Sequence, residues 1–531
     1  MKQGYWMLVL HAHLPFVRHP EYKDVIEERW LYEAITETYI PLLWVFEQLA
    51  EENVPFRLTM SITPPLANML TDPLLQDRYV QHIDKLIQLA EQEVVRNRFV
   101  PEYLTLAQFY LDRFKRVRKT FVETYKKDLV KAFRRFQDLG FLEILTSGAT
   151  HGFFPLLSVH PEAVRAQIQV AVKDYARHFG RAPRGIWNPE CGYYPGLEHL
   201  LKEAGIRFFY TDTHGILHAS EKPLYGVFAP MQTPNGVAYF ARDVDTSHTV
   251  WSSTEGYPGD GAYREFYRDI GFDLEHHYIK PYIHESGLRV ATGIKYHRIT
   301  SKETPMDHKL PYDVELAQQK VQEHAQHFLY GREQQIDYVA SLMDRPPVVV
   351  SMYDAELFGH WWFEGPDFLY HVIKKVATHP KIGMITAPEY LEMFPHNQVA
   401  TPPLCSWGYK GYCEFWLNGT NDWIYPHLHK MAERMRELAN TYRGNQNPVV
   451  IRALNQAARE LLLAQSSDWA FIMRTGTMVD YAVKRTKLHI SRFNRLYEMI
   501  HVQVSIDEAW LSEVEKRDNI FPEIDFRVYA S

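Results

Sequence analysis

The chain has 531 residues, 46% of them hydrophobic, and its 58 Lys+Arg stand against 65 Asp+Glu for a formal net charge of −7. That composition excludes a disordered, collagenous or coiled-coil chain, and the lack of a cationic surplus excludes a general field for nucleic acid. Its three cysteines (Cys191, Cys405, Cys413) form no CxxC pair, which excludes a disulfide scaffold, makes a cysteine-based zinc site improbable and fits a reducing, cytoplasmic setting.

In chain order, short apolar runs alternate with amphipathic stretches, the rhythm of a parallel α/β sheet or barrel. Leu8-Val9-Leu10 closes an apolar run of six residues and leads into His11-Ala12-His13. That run is shorter than a signal-peptide core, and no later segment reads as a membrane span. Leu58-Thr59-Met60 leads into Ser61-Ile62-Thr63. Residues 103–139 read as one or two charge-dense helices, an excursion from the barrel whose charges form a solvated face. Leu142-Glu143-Ile144-Leu145 then runs into Thr146-Ser147-Gly148-Ala149-Thr150-His151, Gly185-Ile186-Trp187 into Asn188-Pro189-Glu190, and Phe208-Phe209-Tyr210 into Thr211-Asp212. Residues 213–273, rich in Gly, Pro and Asp, read as a long loop region with a hairpin near 236–242, and loops of that length are usually functional. Val348-Val349-Val350-Ser351-Met352-Tyr353 reaches Asp354, and Ile382-Gly383-Met384-Ile385 reaches Thr386-Ala387-Pro388-Glu389. Seven buried strands thus end in polar groups, which a β/α barrel would gather on one face. Beyond Met393 strands cease, Pro402-Pro403 marks a joint, and 422–442, 448–465 and 478–501 read as helices. The expected division is a barrel over 1–400, with a helical insertion at about 100–140 and a substrate loop region at about 213–273, followed by a helical domain over 401–531.

Two acidic segments carry the candidate chemistry. Glu190 sits at a strand end among aromatic and turn-forming residues, in Trp187-Asn188-Pro189-Glu190-Cys191-Gly192-Tyr193-Tyr194. Asp354 opens Asp354-Ala355-Glu356-Leu357-Phe358-Gly359-His360-Trp361-Trp362, an aromatic field without helical period. Two carboxylates on different strands beside flat aromatic faces are the equipment for breaking a glycosidic bond, one attacking and one donating a proton. Two nearby anions repel, so one of them keeps its proton. His11 and His13 lie on one side of their strand. Three roles are open to them: a metal pair with Asp212 or Asp354 as oxygen ligand, donors and acceptors for sugar hydroxyls, or strand-end structural groups. His151 shares this ambiguity. Trp407, in Ser406-Trp407-Gly408, and Trp416, in Phe415-Trp416-Leu417-Asn418-Gly419, stand in segments that combine aromatics with glycine and offer stacking faces, and Asp468 stands at a helix start where it is either a cap or a site residue.

These blocks, His11-Ala12-His13-Leu14-Pro15, Ser147-Gly148-Ala149-Thr150-His151, Trp187-Asn188-Pro189-Glu190-Cys191-Gly192-Tyr193, Tyr353-Asp354-Ala355-Glu356-Leu357-Phe358-Gly359-His360-Trp361 and the Trp407 segment, jointly resemble glycoside hydrolase family 57 and, within it, the 1,4-α-glucan branching enzymes. The resemblance spans nearly the whole chain. It implies an incomplete (β/α)7 barrel with a helical insertion and a C-terminal α-helical domain. It implies Glu190 as nucleophile and Asp354 as general acid/base, with no metal and no cofactor. His11, His13 and His151 become contacts of the sugar under attack, Trp407 and Trp416 glucan platforms, and Arg242, Gly259 and Asp468 substrate-binding positions, with Trp30 and Trp251 as weaker matches. The implied partner is an α-glucan, without nucleic acid, membrane or obligate protein partner. Branching members carry a longer loop after the strand that ends here at Asp212, with a tyrosine over the site. Residues 213–224 are short and lack one, Tyr225 following only at their end. The alternatives are an amylase-type hydrolase or 4-α-glucanotransferase with the same residues, a feebly active glucan-binding protein, and a metal-dependent carbohydrate deacetylase using His11 and His13.

Overall fold

The computed structural model describes residues 2–252, 255–502 and 505–531, so Ser253 and Thr254 of the expected substrate loop region lie outside the described residues. Its strands are β1 (Gly4–Ala12), β2 (Leu58–Ile62), β3 (Leu142–Leu145), β4 (Gly185–Ile186), β5 (Phe208–Thr211), β6 (Met231–Gln232), β7 (Ala238–Ala241), β8 (Val348–Asp354) and β9 (Ile382–Met384). β1 is the hub. β8 pairs along one side, from Tyr5 opposite Val348 to His11 opposite Asp354, while β2 and β9 share the other. β3 extends β2, and a second sheet runs β4-β5-β7-β6, with only β6 antiparallel.

Two thin seams join the sheets. Thr146 bridges Ile186 in parallel, and Asp243 N donates to Val350 O at 2.9 Å. The parallel strands β1, β2, β3, β4, β5, β7 and β8 therefore surround a core without a continuous ladder, an incomplete barrel. Seven strands were expected, but one member differs. Ile382–Met384 lies against the first half of β1, off the ring, and its place is taken by Ala238–Ala241 from the stretch read as loop. A four-residue apolar run next to Gly236 satisfies a hairpin and a barrel strand equally, and only its pairing with β5 decides.

Side-chain alternation explains how the strands present a site. Tyr5, Met7 and Val9 of β1, Phe208 and Tyr210 of β5, Ala238 and Phe240 of β7, and Val348, Val350 and Met352 of β8 form one interior cluster. Their alternates Trp6, Leu8, Leu10 and Val349 pack outward in the larger core. Continuing each inward row by two residues gives His11 and then His13, Asp212, Arg242, Asp354 and then Glu356. The apolar rows fill the barrel floor, each buried side chain contributing about 1.5–3 kcal/mol, and the polar residues at their ends face the mouth.

Helices Pro101–Lys119 and Leu129–Asp138 occupy the stretch read as an excursion, the second capped by Asp128, which accepts from Lys131 N at 2.9 Å. Past the barrel come Ile424–Thr441, Pro448–Ala464, Ser467–Thr475, Val479–His501 and Glu508–Arg517, the helical C-terminal region expected from the sequence. This region is docked on the mouth: Ser467 N donates to His151 O at 2.9 Å, and the Thr150 hydroxyl bonds the Leu462 carbonyl.

Candidate active site

A cavity of about 630 Å³ opens at the carboxyl ends of the strands and is lined by His11, His13, His151, Glu190, Arg242, Asp354, Trp407 and Asp468 together with Glu356, Trp251 and Trp361. Eight of the ten residues singled out in the sequence thus meet there, although they are scattered from position 11 to position 468. The other two do not. Trp416 is 2% exposed and stacks on Phe153 at 4.7 Å, so its indole has no open face for a sugar. Adjacent aromatics alternate between core and surface, and the sequence does not tell which is which. Gly259 ends the short helix Tyr257–Gly259, whose Tyr257 packs on His324, away from the cavity. Trp30 packs on Tyr481 and likewise lies outside, whereas Trp251 lines the cavity.

Glu190 arrives through strained backbone. After β4 the chain passes Asn188 and Pro189 and enters the left-handed region at Glu190 (φ 60°) and Cys191 (φ 51°), a conformation that non-glycine residues seldom adopt and that functional sites often retain. The carboxylate is then fixed from the C-terminal region: Trp407 Nε1 donates to Oε2 at 2.8 Å, and Ser467 Oγ donates to Oε1 at 2.9 Å. Burial pushes the Glu190 pKa up to about 7, with the Trp407 and Ser467 hydrogen bonds pulling down and the Asp468 charge pushing up. Asp354 ends β8, and none of the described residues hydrogen-bonds its carboxyl group. Burial, then the neighbouring Glu356 and Glu190 charges, hold its pKa well above the ordinary range, and Arg242 offsets only part of this. Hydrogen bonds that favour a carboxylate thus converge on Glu190, whereas nothing but Arg242 offsets the burial and like charge that favour the protonated form of Asp354.

The histidines form a stack. His13 lies on His151 at 3.8 Å, His11 on Trp187 at 4.5 Å, and the His11 and His151 Nε2 atoms are 3.1 Å apart. Burial, then the His13 charge, depress the pKa of His11 and of His151 well below 6.5, so both are neutral. Burial also opposes the charge on His13, but the Asp468 carboxylate at 2.9 Å prevails and raises its pKa. Asp468 is therefore a partner of His13, and Ser466 takes the N-cap position. Arg242 is held by Asp212 through Nε at 3.0 Å and Nη2 at 2.5 Å, within 5.9 Å of the Trp407 ring.

Among metal-ligating types, the set that comes together is His13, His151 and Asp468, with one ligand atom each within 4.8 Å of the others. The pair His11 and His13 with Asp212 does not form, because Arg242 clamps Asp212. Both ring nitrogens of His13 face protein partners, Thr63 and Asp468, and those of His151 face Ser467 and His11, so an ion would have to displace existing contacts. Sequence reasoning gave no role to Ser467, which holds Glu190 from behind the cavity, or to Trp361, which lines it. Ser467 sits at a helix start that reads as a simple cap, and Trp361 is 54% exposed beside the buried Trp362. The His-Trp-Trp cluster was the only sequence signal for Trp361.

Replacing Trp407 by phenylalanine removes a hydrogen bond that favours ionised Glu190. The carboxyl pKa then rises above about 7, and the acid limb of the kcat/KM profile moves to higher pH. A pH–rate series checks this, and an acid limb that stays put or moves down refutes it.

Residues 7–335 match the model of glycosyl hydrolase family 57, and residues 427–529 match that of the 1,4-alpha-glucan branching enzyme C-terminal domain. The chain is 33% identical to a 1,4-alpha-glucan branching enzyme of Thermococcus kodakarensis, over 100% of this chain and 79% of the relative. That enzyme's crystal structure superposes with a TM-score of 0.90, covering 100% of this chain and 97% of that one. A branching enzyme of Pyrococcus horikoshii gives 0.89 at 35% identity, with coverage of 100% and 97%. An alpha-amylase of Thermotoga maritima gives 0.95 at 50% identity, with coverage of 100% and 99%.

Proposed function

The chain belongs to glycosyl hydrolase family 57, and from that premise we propose that it is a retaining 1,4-α-glucan branching enzyme, which cleaves α-1,4 bonds and forms α-1,6 bonds in glycogen-type metabolism. The observation that carries the mechanism is the asymmetry of the two acids: Glu190 accepts two side-chain hydrogen bonds, and Asp354 faces the same cavity with none among the described residues.

Glu190 attacks the anomeric carbon while Asp354 gives its proton to the departing glycosidic oxygen, leaving a glucosyl ester on Glu190 and a free 4-hydroxyl on the released chain. The ester carries no charge, so the Glu190 share of the repulsion is relieved, the Asp354 proton is held less tightly and Asp354 acts as the base. It then takes the proton of a 6-hydroxyl on a second chain as that oxygen displaces Glu190, and the configuration is retained. The imidazoles of His11, His13 and His151, held by Ser61, Thr63, Asp468 and Ser467, form one wall of the cavity, Arg242 adds a cationic donor, and Trp407 and Trp361 offer ring faces.

Water competes at this last step, and transfer wins only where the acceptor is held close and water is shielded. The second reading, an amylase-type hydrolase, is favoured by the likeness to the Thermotoga alpha-amylase and by residues 213–224, none of which lines the cavity. Incubation with amylose separates the two. Branching yields new α-1,6 linkages in numbers comparable to the bonds broken, and reducing ends without such linkages overturn it in favour of hydrolysis. Lengthened linear chains would instead mark 4-α-glucan transfer.

The substrate is a neutral polymer and the chemistry calls for no protein partner, nucleic acid or cofactor. No helix of the described residues is long and apolar enough to cross a membrane. A cytoplasmic location is part of the proposal, supported by three buried cysteines that are all unpaired.

A further inference from the structure

A second cavity, of about 290 Å³, lies beside the first. A thin wall separates them. Trp361 lines the first cavity, Phe266 and His360 line the second, and the Trp361 and Phe266 rings stack at 4.4 Å and 20°. The π-helical turn Ile35–Tyr39 contributes to both sides: Glu37 lines the second cavity, and the Tyr39 hydroxyl donates to Glu356 of the first at 2.6 Å. Such turns interrupt the regular helix at an energetic cost and recur at functional places. The wall is close-packed. A Cβ at Gly359, where φ is +107°, would overlap the Glu37 carbonyl.

His360, paired with Glu37 at 3.1 Å, is one of the titratable groups that line this second cavity, and burial pushes the Glu33 pKa up to about 7. Three carboxylates (Glu33, Glu37, Asp269) face three permanent cations (Arg113, Arg264, Lys295). Four of the six are already engaged. Arg264 Nη2 holds Glu37 at 2.6 Å, backbone N–H groups of Gly271, Thr292 and Gly293 hold Asp269, and Lys295 Nζ donates to Phe266 O at 2.6 Å. The remaining two are Glu33 and Arg113, and no described residue hydrogen-bonds either side chain. Arg113 lies over the Phe363 ring at 4.6 Å with its N–H edge uncommitted. The cavity therefore presents one spare acceptor and one spare donor set. Its rim adds open ring faces, with Tyr267 69% and Phe272 51% exposed. The lining thus combines ring faces with one uncommitted donor set and one uncommitted carboxyl group. It suits a neutral ligand with hydroxyls that both donate and accept and apolar faces that stack.

We propose that this cavity is a second saccharide-binding site, which holds a stretch of α-glucan remote from the scissile bond and reached across Trp361 and Phe266. The inference rests on the glucan reading given above. A chain held in two places gains effective concentration at the reacting bond.

The test uses full-length Glu190→Gln protein, which binds without turnover, titrated with maltotriose. Two binding steps are expected. Tyr267→Ala and Arg113→Leu, each made in that background, should abolish one step or weaken it at least about tenfold, equivalent to about 1.4 kcal/mol. Tyr267 is exposed, so its substitution leaves the fold intact even if Arg113→Leu does not. A single step, unchanged by Tyr267→Ala, overturns the second site while leaving the glucan reading standing. No binding at all, together with wild-type protein inert on amylose, overturns both.

Discussion

Glu190→Gln is expected to lower kcat on amylose by on the order of 10⁴-fold or more, because an amide oxygen does not form the glucosyl ester and water is left without the covalent route. Glutamine keeps the size of the side chain and can still accept from Ser467 or Trp407, so the fold should survive and binding should persist. Loss of turnover with retained oligosaccharide binding is the signature, measured by new linkages and by new reducing ends on the same sample. Activity within about tenfold of wild type would remove Glu190 as nucleophile and favour the feeble binding-protein reading. In the wild-type protein, Glu190 must be ionised to attack. With its pKa near 7, the acid limb of kcat/KM should fall at neutral rather than at ordinary carboxylate pH.

Asp354→Asn should lower kcat on amylose by roughly 10²–10⁴-fold, the usual contribution of a placed general acid. The loss depends on the leaving group. An alkoxide leaves poorly without a proton, whereas a nitrophenolate needs little help, so glycosyl-enzyme formation from a nitrophenyl α-maltoside should be nearly normal. Breakdown of that intermediate would then be slow, and azide, which needs no base, should rescue it with an α-configured product. The wild-type alkaline limb, which reports loss of the Asp354 proton, should vanish in the variant. An equal loss on both substrates without azide rescue would make Asp354 a structural residue and end the acid/base assignment.

The two predictions differ because the two carboxyl groups have different surroundings, and those surroundings come from opposite ends of the chain. Asp354 and His11 are neighbours through the β1–β8 register alone, and their inward direction follows from counting in twos along Val348-Val349-Val350 and Tyr5-Trp6-Met7. That much is local: strand periodicity is written residue by residue, so the strand ends, the polar residues on them and the helices beyond residue 422 could be read in advance. Arg242 was singled out as a site residue, yet its strand, Ala238–Ala241, reads as part of a hairpin. It became part of the ring because β5 lies ready to pair with it.

Local signals did not reach the contacts made across the fold. Trp407 and Ser467 donate to Glu190 from 217 and 277 residues away, and Asp468 charges His13 from 455 residues away. Trp416 and Trp407 both stand in segments that mix aromatics with glycine, but one is sealed against Phe153 and the other meets the carboxylate. The amino-acid order alone determined which residue types stand at the strand ends, because side-chain alternation and apolar burial act over a few residues. Only the tertiary structure decided which acid is stabilised as an anion and which aromatic is left open, because desolvation and hydrogen bonding depend on neighbours brought together by packing rather than by sequence.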